Sequence, residues 1–171
     1  GNRQDGDVPG AESLDGTSEP FESDLGRCRR HTARLRGLAP ETMYAYRVGD
    51  GEHWSEWHQF RTAADRPEPF MFVYFGDAQN AVRSLWSRVI REANQHAPRC
   101  AFFLHAGDLV NYAISDANWG VWYGAGAWRN GMIPSIATPG NHEYKGGLSR
   151  HWRPYFSFPE NGPPGLEETA Y

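Results

Sequence analysis

Three short stretches of the chain place oxygen-bearing side chains directly behind apolar runs. They are "YFGDAQN" from Tyr74, "FFLHAGDLVNY" from Phe102 and "SIATPGNHEY" from Ser135. Each delivers a polar group just past a glycine: Asp77 after Gly76, Asp108 after Gly107, and Asn141 after Gly140, with His142 following at once. Two carboxylates and an amide oxygen brought into one cleft would repel one another unless a cation lay between them. Hard oxygen donors of this kind suit a hard cation. Taken singly, each Gly-Asp or Gly-Asn pair is an ordinary strand-ending turn; three such pairs in register, the last followed by histidine, point to a metal centre.

The elements that must carry these groups are legible around them. "FMFVYF" at 70–75 is a continuous apolar run of the kind found in strands covered on both faces. From Asn80, a plausible cap, Val82, Leu85, Trp86, Val89, Ile90 and Ala93 fall at helical spacing, and Pro98 follows their end. "CAFFLHA" at 100–106 is the next buried strand, and Asp108 lies 31 residues after Asp77, about one strand-helix-strand unit. A second helix from Ser115, weakened by three glycines, leads to the strand "MIPSIAT" at 132–138, and Asn141 lies 33 residues after Asp108. The repeated unit predicts parallel strands, and an open parallel sheet gathers ligands outside the carboxyl ends of its strands.

The remainder divides by texture. Residues 1–30, rich in Gly, Asp, Glu and Ser, read as a loop or disordered lead-in. Residues 31–63 alternate like short antiparallel strands: Ala33 and Leu35, a turn over 37–41, Met43 to Val48, a turn at "GDGE", then Trp54, Trp57 and Phe60. The prolines of "ADRPEP" make 64–69 a linker, and 70–171 is the strand-helix unit. A chain of 171 residues holds one ordinary domain and part of a second. With 22% charged residues and a net charge of −4 it is not a general polyanion binder, so nucleic acid is not expected as a partner. No apolar run approaches the roughly 20 residues of a bilayer span, and no secretory signal pattern opens the chain, so no membrane partner is expected. Cys28 and Cys100 fix neither a disulfide framework nor a metal cluster.

The set "GDAQN", "GDLVNY" and "GNHE" resembles the first three blocks of the calcineurin-like metallophosphoesterases. The tyrosine of "GDLVNY" is similar to the purple acid phosphatase branch, and "LRGLAPETMYAYRVGDGEHWSEWHQFRTA" resembles the second half of that branch's fibronectin type III-like amino-terminal domain. The resemblance covers about residues 31–171. It implies the amino-terminal half of an α/β metallophosphoesterase core of the α+β sandwich type, preceded by part of a fibronectin type III-like β-sandwich. It implies a phosphoric monoester hydrolase acting on a small phosphate ester, secreted or periplasmic. The cofactor implied is a binuclear centre of Fe(III) and a divalent ion (Fe, Zn or Mn): Asp77 and Tyr112 bind the ferric ion, Asp108 bridges both ions, Asn141 binds the second, and His142 reaches the substrate phosphate. Such a pair of ions clamps a phosphoryl group and activates a water for in-line attack.

The chain departs from the family at two places. Gln79 stands where much of the branch has glycine and where other members carry a histidine ligand, for which glutamine is a poor substitute. The family's later histidine motifs are not found before Tyr171, so half of the metal site and an inactive isolated chain are expected. A phosphodiesterase or nucleotidase of the same superfamily, and a non-catalytic binding module, are the alternatives. His105 either supports a ligand or packs in the core; Trp119, Trp122, Tyr123 and Trp128 either wall a pocket or pack a helix on the sheet. Glu143 is expected to be structural or to back a ligand, and Arg150, His151 and Arg153 to lie on a solvated loop.

Overall fold

The computed structural model describes Val8, residues 10–165 and residues 168–169; the first seven residues of the expected lead-in and the terminal Tyr171 lie outside them. The site rests on three parallel strands, β5 (Val73–Phe75), β6 (Phe103–Ala106) and β7 (Ser135–Thr138), side by side in that order. In register, Phe75, His105 and Ala137 face one side, and Tyr74, Leu104 and Ile136 the other. The first side is buried under helices. The second is only partly covered among the described residues, with Tyr74 64% exposed. The apolar run at 70–75 therefore does not mark a strand sealed on both faces here, and Phe70 and Phe72 stay exposed.

The helix after β5 opens with a π-helical turn over Val82–Trp86 and continues as α1 (Ser87–His96). Asn80 does not cap it; Ala81, in the left-handed conformation, starts it without a side-chain bond. Trp86 and Ile90 are buried, whereas Leu85 and Val89, on the same apolar pattern, remain exposed. Helix α2 (Asp116–Gly126) has Ser115 as its N-cap, the hydroxyl accepting from the Asn118 N–H at 3.4 Å. Its glycines cost up to about 1 kcal/mol each relative to alanine, and burial of Trp119 and Trp122 offsets that cost. These two indoles are core, not a pocket wall, while Trp128 is exposed. Short helices α3 (Arg129–Met132) and α4 (Trp152–Tyr155) complete the unit. No described helix is long and apolar enough to cross a membrane.

The expected loop over residues 1–30 instead contains most of a hairpin, β1 (Thr17–Ser23) paired with β2 (Gly26–Thr32) around Asp24 and Leu25. Its apolar alternation is weak because Phe21 is its one large apolar side chain turned inward; polar contacts to later elements hold it instead. The Asp24 carboxylate accepts from Ser115 Oγ at 2.7 Å and from the Asp116 N–H at 2.6 Å, bonds that hold its pKa below the usual range. Asp116 accepts from Ser23, Arg30 and Tyr155; burial opposes its charge, but these bonds keep the carboxyl low overall. His151, expected on an exposed loop, is wholly buried beside Phe21 with the ring centroids 4.9 Å apart. Arg150 and Arg153 are exposed as expected, although Arg153 lies in a helical turn and not on a loop. In the next segment β3 (Met43–Tyr46) pairs with β4 (His58–Arg61), and the Tyr46 hydroxyl donates to the Gly131 carbonyl at 2.6 Å. Ala33 and Leu35 follow β2 without strand pairing, and Cys28 and Cys100 are both free thiols.

His105 lies within the core, its ring between Phe75 (5.4 Å) and Trp122 (5.2 Å), with Nε2 unpartnered. Burial lowers its pKa from 6.5 to about 4. The unfolded chain takes up this proton near pH 6.5 and the folded chain only near 4, so the stability is full above pH 6.5 and lost as pH falls through that window. The loss is about 3 kcal/mol by pH 4. Urea unfolding of the parent and His105→Phe at pH 7.5 and 4.5 reads this directly: the parent should lose more stability on acidification than the variant, and equal losses would refute the assignment.

Candidate metal centre

Asp77 follows β5 and Asp108 follows β6, and both sit in the left-handed region, at φ 55° and 52°. Residues other than glycine adopt it rarely, at a cost of about 1–3 kcal/mol, so the same departure at adjacent strand ends marks a constrained edge. Gly107 has φ 81°, and a Cβ there would lie 2.7 Å from Gly140 Cα and N. A Cβ at Gly140 would fall on the Asp108 carboxylate. Glycine is thus required at both places by close approach. Gly76 has open space around it and an ordinary φ, so its role in room-making, expected from the repeated motif, is not shared.

One buried carboxylate ties the β6 and β7 edges together. Glu143, 1% exposed, accepts from the N–H groups of Asp108 (2.9 Å) and Gly140 (2.8 Å) through Oε2, and from those of Leu109 (3.0 Å) and Val110 (3.4 Å) through Oε1. Of the two roles expected for Glu143, structural or backing a ligand, these bonds show the structural one. Asp108 Oδ1 in turn accepts from the His142 N–H at 2.9 Å. His142 Nδ1 lies 2.9 Å from the Asn111 carbonyl, which can only accept, so Nδ1 carries the proton and Nε2 is left for another partner.

The β5 and β6 edges meet through Gln79. Its side-chain amide lies 3.2 Å from the Asp77 carbonyl and 2.7 Å from the Asp108 carbonyl, and its NH2 donates to both. Tyr112, on the loop that begins at Asp108, is 54% exposed, with Lys145 Nζ 5.7 Å from its ring centroid. Of the sequence-derived set, Asp108 and His142 are joined directly and Asn141 lies between Gly140 and His142 in the same turn. Asp77 is joined to Asp108 through backbone and Gln79, and no hydrogen bond or ion pair among the described residues links the side chains of Asp77, Tyr112 and Asn141. No group of three His, Cys, Asp or Glu side chains capable of holding a metal occurs among the described residues.

The donor chemistry nonetheless fits a hard cation: two carboxylates, a phenol and an amide oxygen belong to the loops at one sheet edge. A groove lined by Phe21, Arg30, Arg34 and Arg153 contains none of these residues. The bonding of Glu143 and Gln79 could not be read from spacing, since the partners of Glu143 include residues 33–35 positions away.

Residues 53–168 match the calcineurin-like phosphoesterase family, and residues 6–62 match the purple acid phosphatase N-terminal domain. Among solved structures, a purple acid phosphatase isolated from yellow lupin (Lupinus luteus) seeds superposes with a TM-score of 0.60 at 19% identity, covering 75% of this chain and 28% of its own. The present chain thus spans a little over a quarter of that protein. No curated protein matches.

Proposed function

The chain belongs to the calcineurin-like phosphoesterase family, and on that premise we propose that it contributes to the hydrolysis of phosphate monoesters, as part of an acid phosphatase with a binuclear metal centre. The observation that carries this reading is the shared left-handed conformation of Asp77 and Asp108 at neighbouring parallel strand ends. Asp77 and Tyr112 would hold a ferric ion, Asp108 would be shared, and Asn141 would serve a divalent Fe, Zn or Mn. When bound, the pair of ions supplies positive charge to the phosphoryl oxygens and a water made nucleophilic near neutral pH. The chain's own residues orient that chemistry. Glu143 ties the Asp108 turn to Gly140 through three N–H groups of the one and one of the other, and the Asn111 carbonyl fixes the His142 tautomer so that Nε2 is available to the substrate phosphate.

Four side chains cannot saturate two cations of octahedral habit, so the remaining donors would come from outside these residues. The purified chain loaded with iron and zinc is expected to turn over p-nitrophenyl phosphate no faster than buffer, while retaining iron that Asp77→Asn releases. Robust turnover abolished by Asp108→Asn would show that these residues suffice for catalysis. Absence of iron binding by the folded parent would overturn the metal assignment.

A further inference from the structure

Gln79 stands out because its amide spans the two aspartate turns rather than facing solvent alone. An amide oxygen 2.7 Å from a carbonyl oxygen would set two acceptors against each other, so the nitrogen faces Asp77 and Asp108. One NH2 carries two hydrogens, and here it meets two carbonyls. The Asp108 carbonyl receives no other hydrogen bond among the described residues, and the Asp77 carbonyl opens the turn over Ala78 and Gln79. Both belong to residues at positive φ, a conformation that persists only where surrounding contacts hold it.

We propose that Gln79 is a positioning residue, a strut that fixes the spacing of the Asp77 and Asp108 turns and thereby the two carboxylates offered to a cation. The proposal rests on the metal-centre reading for its consequence and on the geometry of Gln79 for its substance. It also accounts for glutamine at this position. Glycine would leave both carbonyls without the donor, and glutamate, of the same shape, would set a carboxylate oxygen against them. The strut reading therefore differs in sign from direct ligation. A carboxylate at this place would strengthen cation binding if the side chain were a ligand, and would weaken it if the side chain holds the two turns together.

The test compares the purified parent chain with Gln79→Glu. In the metal-free parent, the Gln79 side-chain amide protons should exchange at least tenfold more slowly than those of the helix-surface Gln95. In Gln79→Glu the backbone amide of Asp108 should exchange at least tenfold faster than in the parent, in a chain whose near-ultraviolet spectrum stays folded. In a Mn²⁺ titration followed by electron paramagnetic resonance, Gln79→Glu should bind at least tenfold more weakly than the parent despite its added negative charge. Fast exchange of the Gln79 amide, unchanged exchange at Asp108, or equal or tighter Mn²⁺ binding by the variant would overturn the strut. A parent that binds no Mn²⁺ while both exchange results hold would sustain the strut between the turns and overturn the metal-centre reading instead.

Discussion

Glu143→Gln is expected to lower the stability of the folded chain by about 3–5 kcal/mol. The carboxylate accepts four backbone N–H groups, two on each oxygen, from a position that is 1% exposed. Glutamine keeps the shape but replaces one acceptor by an NH2 group. Whichever way the amide turns, that group faces two donors, either those of Asp108 and Gly140 or those of Leu109 and Val110. Each buried donor left unsatisfied costs about 1–3 kcal/mol, and the bonds that survive lose their charge assistance. Urea unfolding by circular dichroism gives the difference directly, and a loss below about 1 kcal/mol would mean that water already serves these donors. Because the Asp108 and Gly140 amides share Oε2, the same substitution should also loosen the two turns that present Asp108 and Asn141, so any bound cation should be lost with the stability.

The contrast between Glu143 and Asp108 shows what the sequence could carry. Asp77, Asp108 and Asn141 were visible because each follows an apolar strand at a spacing of one strand-helix unit, and periodicity of that sort survives in one dimension. The parallel order of β5, β6 and β7 follows from the same spacing. Helix α1 was visible too, but not the π-helical turn before it, which depends on seating Trp86 against Phe75, with ring centroids 4.7 Å apart. The hairpin β1–β2 was not visible, since "TSEPFES" and "GRCRRHT" carry charge where a buried strand would carry apolar residues. It is held by Asp24, Arg30 and Asp116, whose partners lie more than 80 residues apart in the chain. His151 is illegible for the same reason: a histidine flanked by Arg150 and Arg153 gives no sign that Phe21, from the other end of the chain, covers it. Contacts made by polar side chains across long separations have no period, and they are what was missed.

Tyr112→Phe is expected to abolish the visible colour of the iron-loaded protein while leaving the fold intact. A phenolate bound to ferric iron gives an intense charge-transfer band in the visible, and carboxylate, amide or imidazole donors to zinc or manganese give none of comparable strength. The tyrosine ring is 54% exposed, so removal of its hydroxyl takes nothing from the core. The neighbouring segment is anchored independently: Leu109 and Val110 are buried, and the Ala113 carbonyl accepts from Trp119 Nε1 at 3.0 Å. The variant should therefore unfold within about 0.5 kcal/mol of the parent, as surface substitutions usually do, which separates loss of a ligand from loss of structure. The measurement is a pair of visible spectra at known iron content. A parent that binds iron stoichiometrically and stays colourless, or a variant that keeps the same band, would remove Tyr112 from the ligand set. The site would then have only Asp77, Asp108 and Asn141 to offer, and the case for a ferric ion at the first position would go with the phenolate, because carboxylate and amide oxygens serve manganese or magnesium equally well.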